Sequence, residues 1–197
     1  MANQNGEKYG FTGLFPIATN QSDDLRAFLR TLDDPRAYPR GSPLSHVPII
    51  HMARMFIVDR LAYQGTPAKF DALKSDYLVF MCEFDGESVD PLVQALAGNI
   101  PNEVATIWGR CLGFPGIHRR DLLSGYFERC QLKTTLFLAD QPEASVSEIL
   151  MALLCRRRLG EFVRLVQTSP RPPEVLQREF RQMWEGLQNE RPSPGDL

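Results

Sequence analysis

HVPIIHMARMFIVD (residues 46–59) and SDYLVFMCEFDG (residues 75–86) are two apolar runs of strand length separated by residues 60–74. In the first, Ile49, Ala53, Met55 and Ile57 alternate with Ile50, Met52, Phe56 and Val58, so both faces of a strand over 47–59 are apolar. In the second, Leu78, Phe80, Cys82 and Phe84 alternate with Tyr77, Val79 and Met81. A sheet with one wet face would alternate apolar and polar residues, and these strands do not, so both faces are expected to be covered. The connection is barely long enough for a parallel crossover, although PAKFDALK (67–74) can hold a short helix. An elaborated antiparallel hairpin is the expectation.

Upstream, residues 1–8 are polar and read as a flexible terminus, and YGFTGLFPIAT (9–19) reads as a strand with Pro16 placing it near an edge. Asn20 or Ser22 can cap a helix carrying Leu25, Phe28, Leu29 and Leu32 at i, i+3, i+4 and i+7. Pro35, Pro39, Gly41 and Pro43 end it. Downstream, Ser88 opens a helix with Val89, Leu92, Val93 and Leu96, which Gly98 closes. Another starts near Pro101 with Val104, Ile107, Trp108 and Cys111, and a short one carries Leu122, Leu123, Tyr126 and Phe127. QLKTTLFLA (131–139) reads as a fourth strand. Ser145 and Glu148 form a capping box opening a helix to about Gln167, and Leu176, Phe180, Met183, Trp184 and Leu187 mark a last amphipathic helix.

Two split β-α-β halves in this order predict an α+β fold, a ferredoxin-like antiparallel sheet with helices on one face. The units expected are residues 1–8, a main domain over 9–168, a helical arm over 169–190 and a disordered tail over 191–197. The second sheet face needs a cover, either a second copy in a dimeric α+β barrel-like arrangement or the C-terminal helix with Trp184.

The chain has 197 residues, 43% hydrophobic and 23% charged, with a formal net charge of −2. That balance gives no reason to expect nucleic acid as a partner. No apolar run reaches the ~18 residues a bilayer-spanning helix needs. MANQNGEKYG lacks a signal-peptide core, so no membrane association and cytoplasmic residence are expected. Cys82, Cys111, Cys130 and Cys155 include no C-x-x-C pair, which disfavours a thiolate zinc site and favours free, mostly buried thiols. Neither a nucleophile elbow nor a phosphate-binding glycine loop is present, and His46, His51 and His118 have no metal-ligand spacing.

Ionisable residues inside apolar strands are therefore the candidates for chemistry. His51 is either a core histidine held by hydrogen bonds or a general base. Arg54 is either half of an ion pair with Asp85 or Glu83, or a clamp for a substrate anion. Asp85 is either a turn residue before Gly86 or the group that orients His51 or Arg54. Regular pleating puts His51 and Arg54 on opposite faces unless a bulge intervenes. Met55, Glu83, Trp108 and His118, in the loop GFPGIHRR, are candidate substrate contacts. Arg156–Arg158 reads as a solvated helix face or a surface for an acidic partner.

HMARMFIV (51–58), CEFDG (82–86) and Gly113-Phe114-Pro115, with TTLFLADQPEASVSEI (134–149), resemble a group of uncharacterised bacterial proteins. Its strands read H-F-A-R-W/F-V-I and N-Y/F-D-G, with a later G-F/Y-P turn. The layout and Asp85-Gly86 also resemble dye-decolourising peroxidases and, in layout alone, the dimeric α+β barrel monooxygenases. The peroxidases' G-x-x-D-G motif is here Cys82-Glu83-Phe84-Asp85-Gly86, and no histidine lies in the last third. No metal and no cofactor are expected, haem being the one group the resemblance leaves open. What the resemblance implies is a small-molecule, oxidoreductase-leaning enzyme, monooxygenase- or peroxidase-like. Its small lipophilic ligand would lie in a sheet-lined cavity of a homo-oligomer. A non-catalytic dimerising or adaptor module is the alternative.

Overall fold

The computed structural model describes residues 3–34, 36, 38, 41–63, 65–67 and 73–194. Among them are strands β1 (Gln4–Asn5), β2 (Lys8–Pro16), β3 (Ile50–Val58) and β4 (Tyr77–Asp85). The α-helices are α1 (Ser22–Thr31), α2 (Val89–Asn99), α3 (Pro101–Trp108), α4 (Arg120–Cys130), α5 (Val146–Thr168) and α6 (Pro173–Asn189), with a 3₁₀ turn at Pro43–His46. The chain is α+β, and its one sheet is antiparallel in the order β1-β2-β4-β3. β4 therefore sits between β2 and β3, and α1 crosses from β2 to the far edge. Residues 68–72 of the anticipated 67–74 helix lie outside the described residues.

One sheet face carries the core. Phe11 and Phe15 of β2 and Leu78, Phe80, Cys82 and Phe84 of β4 are buried there with residues of α1 to α4. Trp108 is fully buried, its ring centroid 5.8 Å from Phe15, 5.4 Å from Phe80 and 5.1 Å from Phe127. A side chain that large, packed against several rings, contributes about 3–5 kcal/mol relative to Ala. The stripes anticipated for α1 to α4 supply this layer: Leu25, Leu92, Leu96, Val104 and Phe127 are all buried.

The structure departs from expectation at three places, two of them on the other face. Residues 131–139 form no strand; only Gln131 bridges β2, at Gly13, and Leu132 N–H donates to Thr12 O at 2.7 Å. The cause is the N-terminus. Residues 3–8, expected to be loose, fold back so that Gln4 and Asn5 pair with Tyr9 and Lys8 and Gly10 N–H donates to Asn3 O, which occupies the edge of β2. Second, α6 does not cover the sheet but packs on α5, with Phe162 and Phe180 5.7 Å apart and Arg158 bonded to Glu190 at 3.2 Å. Third, the expected caps differ: Gln21 rather than Asn20 or Ser22 precedes α1, and α2 continues through Gly98 to Asn99. Ser22 instead bonds Asp76 before β4. The capping box of Ser145 and Glu148 forms as read. All four cysteines are free, with Cys82 and Cys111 buried. No helix among the described residues is long and apolar enough to cross a membrane.

Candidate functional site

The open face of the sheet is built from every second residue: Lys8, Gly10 and Thr12 of β2 stand opposite Asp85, Glu83 and Met81 of β4. On β3, Met52 stands opposite Glu83 and Arg54 opposite Met81, whereas Ile50 stands opposite Phe84. One residue is thus extra, and the register shift between Ile50 and Met52 is a β-bulge at His51. The bulge brings His51 onto the face that Arg54 occupies.

There His51 Nε2 lies 2.6 Å from Asp85 Oδ1, the oxygen to which Lys8 Nζ donates at 2.5 Å. Asp85 Oδ2 accepts the backbone N–H of Val146 at 2.9 Å, the first residue of α5. Lys8 also donates to Ala144 O. The carboxylate therefore joins three strands to a helix N-terminus, where unsatisfied N–H groups and the helix dipole favour negative charge. Burial by itself would raise the Asp85 carboxyl, but the hydrogen bonds from Lys8, His51 and Val146 outweigh it and hold the group below the usual aspartate range. When Nε2–H donates to Asp85, Nδ1 is the ring nitrogen left to take a proton. The cluster can thus orient an imidazole as a base, and it also neutralises a lysine whose side chain is 1% exposed.

Beside this cluster, at the next same-face positions, lies a groove of about 340 Å³. Its floor is Gly10, Thr12, Met52, Arg54, Met81 and Glu83, and its wall is Leu136, Phe137 and Leu138. The wall is held by side chains rather than a strand ladder: Asn3 Nδ2 donates to Thr134 Oγ1 at 3.2 Å, and Asn5 Nδ2 to Phe137 O at 3.4 Å. Gly10 makes the closest approach, since a Cβ there would stand 2.7 Å from the Phe137 ring. Arg54 is exposed and lies over Phe56, 5.1 Å from the ring centroid, with no ion pair among the described residues.

Of the residues singled out from sequence, His51, Arg54, Asp85 and Glu83 share this face. Asp85 is paired with Lys8 and His51 rather than Arg54. Trp108 is in the core on the other side of the sheet, and Met55 also faces that side, half-buried against the core. His118 is exposed in the loop before α4. Lys8, Val146 and the 134–138 wall were not singled out. Lys8 had a signal, the alternation Lys8, Gly10, Thr12 against Tyr9 and Phe11, but its meaning depends on the pairing of β2 with β4. No group of three or more His, Cys, Asp or Glu among the described residues is arranged to hold a metal ion. No protein-family model, no curated protein and no solved structure matches this chain.

Proposed function

We propose that the open sheet face receives a small lipophilic molecule bearing an anionic group, with Arg54 as its counter-ion. His51, oriented by Asp85, is its hydrogen-bond partner or general base. The groove of about 340 Å³ carries this reading: two methionines and two leucines line it beside a guanidinium that has no ion pair among the described residues. Methionine walls adapt to irregular apolar shapes, and a guanidinium binds carboxylates through two parallel bonds. The strand order is consistent with a ferredoxin-like sheet. Within that layout the chain reads as a small-molecule enzyme, oxidoreductase-leaning, as its resemblance to monooxygenases and peroxidases implies. Calorimetry with a medium-chain fatty acid and the alcohol of equal length tests it. Wild type should prefer the acid, and Arg54→Ala should weaken the acid about tenfold, in line with one charge-assisted bond. Equal affinity for acid and alcohol, or binding of neither, overturns the reading.

A second reading rests on exposure. Met52 is 65%, Leu136 74% and Leu138 73% exposed on this face, and clustered apolar surface of this kind marks interaction sites. In that reading the chain is a non-catalytic dimerising or adaptor module and another polypeptide covers the face. Met52→Glu would then abolish association, read by sedimentation velocity.

A further inference from the structure

Glu83 lies in the floor of the groove of about 340 Å³, yet an anionic ligand gives it nothing to do. It is half-buried, and its carboxylate has no ion pair or hydrogen bond among the described residues. Its cross-strand neighbours are Gly10 on β2 and Met52 on β3, and neither side chain can donate a hydrogen bond. Lys8, one same-face position along β2, is already engaged by Asp85 and Ala144 O. Arg54 stands opposite Met81 and is therefore a diagonal neighbour of Glu83 across β3 and β4. Such positions are about 7–8 Å apart, and the guanidinium lies over Phe56 rather than on the carboxylate. A carboxylate set among apolar groups without a partner is costly, which marks Glu83 as a group awaiting a cation.

We infer that the groove's ligand is a zwitterion, an α-amino acid with a linear apolar side chain. Its carboxylate meets Arg54, its ammonium meets Glu83, and its side chain runs along Met52, Met81 and the wall of Leu136 and Leu138. The inference names the ligand class of the anion reading above and rests on it. Lys8 and Asp85 neutralise each other, so the groove keeps one guanidinium and one carboxylate. A plain acid satisfies Arg54 but sets a second carboxylate beside Glu83, and like charges at close quarters disfavour each other. A plain amine makes the same error at Arg54. A molecule with both charges leaves neither side chain facing its own sign. The register also fixes the direction of binding. Glu83 adjoins Asp85 at the next same-face position, whereas Arg54 lies toward Met81, so the ammonium end points to the His51–Asp85 pair. The groove is at the small end of the range of about 300–1,000 Å³ common for small-molecule sites, which suits a single amino acid.

Calorimetry of the full chain with norleucine, hexanoate and hexylamine, which share one chain length, tests it. Wild type should bind norleucine about tenfold more tightly than hexanoate, the gain expected from one added charge-assisted contact. Hexylamine, which meets Arg54 with its own sign, should also bind more weakly than norleucine. Glu83→Gln should stay folded by circular dichroism, because the carboxylate it replaces holds no partner among the described residues. It should weaken norleucine about tenfold while hexanoate, relieved of a like charge, binds at least as tightly as before. A merely structural role for Glu83 would move both ligands the same way. Hexanoate binding wild type as tightly as norleucine, or Glu83→Gln weakening both equally, overturns the inference and leaves the anion reading standing. Binding of none of the three compounds overturns both.

Discussion

Asp85 is the residue on which the open face depends. Both of its oxygens accept hydrogen bonds, and one of its partners, Lys8, has an almost fully buried side chain. Removing the charge leaves that ammonium without a counter-ion, and breaking such a pair costs on the order of 3 kcal/mol. Asp85→Asn should lower stability by that order in urea unfolding, whereas Arg54→Ala, at an exposed position, should change it by less than about 0.5 kcal/mol. The pH dependence has a definite sign. Because the folded carboxyl lies below its unfolded value of ~3.9, its contribution is complete above that value and is lost as pH falls below ~4. Acid unfolding followed by circular dichroism should lose part of its pH dependence below pH ~4 in Asp85→Asn. The thiols give an independent check. Burial pushes Cys111 up to about 12, with Cys130 nearby adding to it, and pushes Cys82 well up too. Neither should react with a thiol reagent until the chain unfolds.

Among the elements, β3 shows what the sequence carried and what it withheld. Although the strand expected over 47–59 is paired only over Ile50–Val58, after a 3₁₀ turn at Pro43–His46, its doubly apolar pattern follows from the sequence alone. The bulge does not, because an extra residue is visible only once β4 is the template, and the pairing of Ile50 with Phe84 and Met52 with Glu83 is a tertiary fact. The position of His51 therefore depends on that pairing, and the bulge sets aside the opposite-face rule that regular pleating gives for His51 and Arg54. Residues 131–139 illustrate the converse. Their composition suits a strand, but Gln4–Asn5 takes the edge of β2 they would need, and tertiary competition overrides propensity. α5 was legible at its start because a capping box is local chemistry: Ser145 accepts from Glu148 N–H, and Glu148 Oε2 accepts from Ser145 N–H at 2.8 Å. Ser145→Ala should cost about 1 kcal/mol and fray the first turn, measurable as faster amide exchange at residues 146–148. Since Val146 N–H also serves Asp85, the fraying should extend to the end of β4.

At the scale of the molecule, the sheet and α1 to α4 share one core, while α5 and α6 pack on each other. The core cluster draws on β2 to β4 and α1 to α4, and contains no residue of α5 or α6. The chain's two tryptophans report on the two parts separately, Trp108 fully buried and Trp184 49% exposed. Acrylamide should quench Trp184 and leave Trp108 until global unfolding. A chain ending at Ser169 should keep the near-ultraviolet dichroism of Trp108 and its aromatic neighbours. The layered body was legible because apolar periodicity is written locally in each element. What covers the second face was not, because it depends on where α6 goes, and its apolar stripe fits α5 as well as it would fit a sheet.

The Asp85 cluster has a kinetic consequence. Lys8 lies 77 residues from Asp85 and 136 from Ala144, and Val146 lies 61 from Asp85. Contacts that close loops this large form after local ones during folding, because their entropy cost comes before their reward. A latch assembled after the rate-limiting barrier acts as a brake on opening and gives no help to closing. Asp85→Asn should therefore steepen the loss of the native state by raising the unfolding rate, with the refolding rate nearly unchanged.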